Sequence, residues 1–209
     1  MTALETLESR AEELEKAHYG AQSDESSRRA LKAVQALGLY SARTKWVPEA
    51  YYSWPLAQRA ACLGAPSVHH LCKSLLLDNK KAPAGRPHDP TFPKFVLVIL
   101  QYAATLDTKL LVNAVRALRP VKERFDASHF DFRIAAQADN DRLTGYVHNS
   151  VTPFGMAQPE EVTILLAQDI VPLHFFWMGG GHVHCKLGLS VADCLQGLRP
   201  HVVAISKPR

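Results

Sequence analysis

Phe95-Val-Leu-Val-Ile-Leu-Gln-Tyr102 contains the longest apolar run of the chain, Phe95 to Leu100. It is rich in β-branched residues and too short to cross a bilayer, which takes about 20 apolar residues, so it reads as a buried strand. On its C-terminal side, Asp107 to Leu118 has helical spacing and Phe130 to Ala135 alternates like a strand. Asp139 to Thr144 predicts a short helix closed by Gly145, and Val162 to Leu166 another strand. Phe175 to Trp177 runs into Gly179-Gly180-Gly181. Cys185 to Leu189 predicts a strand, Val191 to Leu198 a helix and His201 to Ile205 a closing strand.

On the N-terminal side, Asn79 to Pro93 carries four prolines and one glycine, which predicts an exposed loop. Val68-His-His-Leu-Cys-Lys-Ser-Leu-Leu-Leu77 predicts a helix that runs into a strand, with Ser67 as its cap. Pro55 to Leu63 is helical in pattern, and Trp46 to Pro55 reads as an irregular aromatic loop. Asp24 or Ser26 starts a helix carrying Ala30, Leu31, Val34 and Leu37 inward, and Gly38 stands where a left-handed terminus is wanted. Met1 to Tyr19 predicts a further helix with a narrow stripe of Leu4, Leu7, Ala11 and Leu14. Such a helix is marginal alone and must lie on the domain, pair with a partner or fray. Strands and helices that interleave at short spacing predict an α/β or α+β domain around one sheet.

The 209 residues suit one domain with an extension. With 47% hydrophobic and 21% charged residues, collagen-like, disordered and repeat-array classes drop out. A net charge of +4 permits a phosphate-bearing partner without requiring one. Arg28, Arg29, Lys32, Arg43 and Lys45 form a basic stretch near Trp46, open to two readings: a surface for a phosphate-bearing partner, or a solvated helix face. Cys62, Cys72, Cys185 and Cys194 form no CxxC pair and no secretory signal opens the chain, which predicts reduced thiols in a cytoplasmic setting and no membrane span.

The chain carries no P-loop, no GxGxxG, no GxSxG elbow and no HExxH. His182-Val183-His184 on a strand would put two imidazoles on one face, yet no further ligand spacing appears, and a solvated loop is the blander reading. Cys72 beside His69 and His70 looks like an activated thiolate, but buried inert cysteine is the commoner case. Lys73, inside the apolar run Leu71 to Leu77, must snorkel, pair with an acid or hold an anionic group; a structural and a functional reading both stand. Residues 144–155 and 177–181 hold glycines whose turns either expose backbone donors or simply reverse the chain.

Three segments together resemble the YbaK-type aminoacyl-tRNA deacylases, relatives of the editing domain of bacterial prolyl-tRNA synthetase. Val68 to Leu77 is similar to the family's lysine-bearing segment. Leu143-Thr-Gly-Tyr-Val-His-Asn-Ser-Val-Thr-Pro-Phe-Gly-Met156 is similar to its glycine loop ending in proline. Gly179-Gly-Gly-His-Val-His-Cys-Lys-Leu-Gly-Leu-Ser190, with the Ala192-Asp193 helix start, is similar to its third signature. The resemblance covers about Ser26 to Ile205. It implies a mixed sheet curved into a partial barrel with flanking helices, an editing domain over residues 23–209, and a helical extension over residues 1–22. It implies trans-editing: hydrolysis of the ester between a small, wrongly attached amino acid and the 3′ end of a tRNA, of the prolyl-tRNA editing type. Lys73 takes the place of the central lysine, and Pro153 that of the loop proline. Asn149 stands where the family opens the loop with glycine; asparagine tolerates a left-handed backbone and brings an amide. The expected substrate-binding set is Gly145, His148, Asn149, Ser150, Val151, Thr152, Pro153, Gly179, Gly180 and Gly181. The backbone around Ser150 to Pro153 would hold the aminoacyl group, and Gly179 to Gly181 would let the adenosine approach the sheet. No metal and no cofactor are implied. The expected partners are tRNA and, through the N-terminal helix, a synthetase or multi-synthetase assembly. The alternative is a non-catalytic tRNA-binding or synthetase-docking module, which the asparagine favours; a metal hydrolase using His182 and His184 is a third reading.

Overall fold

A computed structural model describes residues 24–209 together with Thr6 and Arg10, both helical. The expected N-terminal helix and its docking role otherwise lie outside the described residues.

The run at the centre of the sequence is the centre of the main sheet. Strand β3 (Phe95–Gln101) is buried at every position, as a strand covered on both faces must be. It lies between β2 (Cys72–Asn79), antiparallel to it, and β6 (Val162–Ala167), parallel to it. The edges are β5 (Phe132–Ile134) beside β2 and β9 (His201–Val203) beside β6. A second, antiparallel sheet has the order β1 (Arg43–Trp46), β8 (Cys185–Ser190), β7 (Phe175–Gly179). The hairpin-like pair β4 (Ala104–Leu106) and β10 (Ser206–Pro208) closes the C-terminus. A parallel bridge between Leu71 and Trp177 ties β7 to the start of β2. The sheets therefore curve towards one another without closing into a barrel, which defines the expected partial barrel more narrowly.

The helices follow local chemistry. In α1 (Glu25–Ala36), Asp24 caps the Ser27 amide at 2.8 Å, and Ser27, Ala30 and Val34 face inward. Helix α2 (Leu56–Leu63) ends on Gly64 in the left-handed conformation. In α3 (Thr108–Ala117), the Asp107 carboxylate accepts from Lys109 and Leu110 amides, while Leu111 and Val115 are fully buried. Helix α4 (Gln137–Thr144) ends on left-handed Gly145, as the sequence predicts. In α5 (Val191–Leu198), Ser190 caps the Asp193 amide, and the Asp193 carboxylate accepts from the Ser41 amide and hydroxyl.

Two expectations need correction. Lys73 is not on a helix: only Val68–His70 makes a single tight turn, and β2 begins at Cys72. The cross-strand partner of Lys73 is Leu100. The basic stretch at Arg43 and Lys45 is an edge strand. Both cations point to solvent, which discourages pairing with another chain. Among the described residues no helix is long and apolar enough to cross a membrane.

Candidate active site

The cavity that matters arises from a gap in strand pairing. Strand β5 covers β2 only at Leu77–Asn79, with one more bond from the Ala135 amide to the Leu76 carbonyl at 3.0 Å. At the other end of β2, Leu71 meets Trp177 of β7. Between them Lys73, Ser74 and Leu75 pair with β3 on one edge but have no strand on the other, and a cavity of about 380 Å³ fills that gap. Its walls include Tyr52, Tyr102, Ile134, Asn140, His148, Asn149, Val151 and Gly179. Among the described residues no carboxylate lines it.

Lys73 is half-buried, with its ammonium 5.6 Å from the centre of the Tyr102 ring. Burial, then the like charge of Arg209, holds its pKa below the usual lysine value, and no acid opposes that shift. It is an ammonium without a carboxylate partner among the described residues. Cys72, one residue away, is buried, and burial pushes its thiol well above the usual range. That leaves it protonated, so the thiolate reading fails on desolvation.

The segment facing Lys73 is built as a closed loop. Tyr146 is buried, and its hydroxyl donates to the Phe154 carbonyl at 2.7 Å. The Arg29 guanidinium donates to the Gly145 carbonyl at 2.6 Å and stacks on the Tyr146 ring at 4.5 Å. The Arg29 backbone closes off Gly155, where a Cβ would come within 2.8 Å of the Arg29 carbonyl. Helix α1 thus grips the loop at its base. One residue of the basic stretch points inward as a clamp. Arg29→Met is expected to destabilise the fold by about 1–3 kcal/mol, the cost of a lost charged hydrogen bond on a buried carbonyl. Thermal melting and hydrogen exchange across residues 145–155 would check this; unchanged exchange there would refute the clamp.

At the tip, Asn149 has φ 67°, the left-handed conformation expected for a residue replacing glycine. His148 and Asn149 are exposed on the cavity side. Ser150 and Thr152 are fully buried behind them: the Ser150 hydroxyl donates to the Val147 carbonyl at 2.7 Å, and the Thr152 hydroxyl contacts the Met178 sulfur at 3.8 Å. Pro153 is buried as well.

The expected binding set therefore divides. Lys73, His148, Asn149, Val151 and Gly179 share the cavity. Gly145, Ser150, Thr152, Pro153, Gly180 and Gly181 do not line it. The glycine row allows a close approach, but the approaching group is the chain itself. A Cβ on Gly179 would lie 2.5 Å from the Val151 carbonyl; on Gly180, 3.0 Å from the Cys185 sulfur; on Gly181, 2.6 Å from the Ser26 carbonyl. Gly181 also donates its amide to the Ser150 carbonyl at 3.1 Å.

His182 and His184 lie in the turn before β8, not on a strand face. His182 packs against Trp46 and His184, with ring centroids 5.0 and 5.4 Å away. Among the described residues no group of three or more His, Cys, Asp or Glu is placed to hold a metal ion.

Sequence reading did not find Tyr52, Tyr102, Asn140 or Ile134 as cavity residues. Tyr52 lies in a segment read only as an aromatic loop, and nothing local marks the others.

The profile of the aminoacyl-tRNA editing domain matches residues 56–196. The chain belongs to that family. Among solved structures, one proposed as a trans-editing enzyme for prolyl tRNA synthetase is 18% identical. It has a TM-score of 0.69 and covers 89% of this chain and 99% of its own. A scaffold protein from epitope grafting by computational design is likewise 18% identical, with TM-score 0.68 and coverage of 90% and 100%. A proposed signal transduction protein from Marinobacter aquaeolei is 13% identical with TM-score 0.52; the match covers 84% of this chain but 30% of that one. At these identities the likenesses establish the editing-domain fold. No curated protein is a significant match to the chain.

Proposed function

We propose that this editing-domain protein is a trans-acting aminoacyl-tRNA deacylase that hydrolyses the ester of a tRNA charged with a small, wrong amino acid. The observation that carries the reading is Lys73: an ammonium with no acid among the described residues to neutralise it, opening on the same cavity as Asn149, Val151 and Gly179.

The substrate ester is already activated relative to an amide, so positioning and charge stabilisation do most of what is needed. A water oxygen bonds to the ester carbonyl carbon, and the carbonyl oxygen becomes an oxyanion. Lys73 lies where it can stabilise that negative charge. The C–O bond to the ribose then breaks, the ribose oxygen takes a proton, and the free amino acid leaves. Asn149 and Val151 supply the wall against the aminoacyl group; Ser150, Thr152 and Pro153 hold that wall from behind. Editing suits small side chains, because one methylene is worth only about 1–3 kcal/mol to a binding pocket and a second sieve is useful.

The cavity offers one candidate base, His148, and it is exposed at the loop tip. A hydroxyl of the substrate ribose is the better guide for the water. His148→Ala is therefore expected to leave the deacylation rate within about twofold of the parent. A loss of 10²-fold or more, in the range of general-base catalysis, would transfer that role to the histidine.

The decisive experiment is a deacylation panel over tRNAs mischarged with alanine, cysteine, serine and threonine. Release of amino acid from at least one supports the reading. Binding of tRNA without release from any would make the chain a non-catalytic module on the same fold.

A further inference from the structure

The mechanism leaves one buried cation unused. Lys186, on β8, is 4% exposed and does not line the Lys73 cavity. Its ammonium donates to the Val183 carbonyl at 2.6 Å and to the Tyr52 hydroxyl at 2.9 Å. It lies 4.5 Å from the Tyr52 ring centre and 5.2 Å from that of Tyr51. Among the described residues no carboxylate accompanies it. The charged or titratable groups around it are Arg59 on α2, Tyr51 and Tyr52 on the turn before α2, the Cys185 thiol, and Lys45 opposite it on β1. A buried charge without a counter-charge is costly, so its retention points to a task.

The task follows from hydrogen-bond chemistry. An ammonium has three donors and no acceptor. The Tyr52 oxygen must therefore accept from Lys186, and its own proton has to point elsewhere. Its acceptors in reach are the Asn149 carbonyl, 2.8 Å away, and the Tyr102 side chain, and the bond to Asn149 is the one that reaches the loop. Tyr52 is at the cavity wall, and the Asn149 carbonyl belongs to the same peptide as the Ser150 amide, at the left-handed tip of the loop. Lys186 thus sets the direction of a hydroxyl that pins the loop facing Lys73.

We propose that Lys186 is a positioning residue that works through Tyr52 to hold the Asn149–Ser150 peptide against the Lys73 cavity. The consequence for catalysis rests on the deacylase reading; the structural coupling does not.

Lys186→Met and Tyr52→Phe, singly and together, test it. Each single variant should lower kcat by about tenfold, the worth of one charge-assisted hydrogen bond, with KM changed less than twofold. If the lysine acts only through the tyrosine, adding Lys186→Met to Tyr52→Phe should change nothing further. A second, equal loss in the double variant would overturn the proposal, as would a KM effect without a kcat effect. The Ser150 amide resonance gives a readout independent of activity: it should shift in both single variants, and an unmoved resonance overturns the proposal. If the parent protein deacylates no substrate, the deacylase reading fails while the amide measurement still decides this one. Should Lys186→Met not fold, Lys186→Gln takes its place in every arm.

Discussion

Lys73→Ala is expected to lower kcat for deacylation by about 10²–10³-fold, the effect of removing one preorganised group that stabilises a developing oxyanion. The fold should hardly change. Lys73 is half-buried, has no acid partner among the described residues, and sets its ammonium over the Tyr102 ring, so its loss should cost no more than about 1 kcal/mol. Burial and Arg209 already disfavour its charge. The ammonium therefore loses its proton at a lower pH than an ordinary lysine, and the alkaline fall of the parent's rate should begin correspondingly early. The measurements are single-turnover deacylation across pH and thermal melting of parent and variant. A folded variant with parental rates would remove Lys73 from the chemistry; an unfolded one would make it a structural residue.

Gly179→Ala should damage both stability and activity. The added methyl would lie 2.5 Å from the Val151 carbonyl and 3.0 Å from that of Ser150. Both obstacles are backbone, so no side chain can swing away, and β7 or the loop must move. Overpacking of this kind costs about 1–3 kcal/mol. The same movement displaces Val151, which lines the cavity, so the deacylation rate should fall even in the fraction that remains folded. Melting temperature and rate per folded molecule measure the two effects separately. A variant with parental melting and parental rate would show that the glycine is not needed for the contact between strand and loop.

The resemblance in three segments led to the right family. Its strength was local: a lysine in an apolar run, a glycine-and-proline loop and a glycine row are short stretches legible from neighbours in the chain. The same locality does not say which of these residues share a cavity. Of the ten loop and glycine residues expected to touch substrate, His148, Asn149, Val151 and Gly179 reach the cavity. Ser150 and Thr152 belong to the same tip but turn away, because the left-handed backbone at Asn149 and the contacts to Val147 and Met178 carry their side chains inward. Asn149 departs from the glycine of the family pattern and still adopts the left-handed backbone that a glycine would allow. Lys186 lies within Gly179 to Ser190 with no local mark of its role, since alternation on a strand does not reveal what packs above it.

The amino-acid order by itself determined the kind and succession of most elements: Phe95–Gln101 as a buried strand, the capped helices after Asp107 and Ser190, and the glycine ends of α2 and α4. These depend on side-chain periodicity and on the few residues at each terminus, so neighbouring residues suffice to read them. Pairing between distant segments decided the rest. The short strand Arg43–Trp46 exists because β8 offers it a backbone partner, and the cavity exists because β5 and β7 leave part of β2 uncovered. Tyr52 joins that cavity from a loop with no regular pattern, held by a lysine far along the chain. Backbone hydrogen bonds between remote strands carry no side-chain signature, and that is why only the folded protein shows where its candidate site lies.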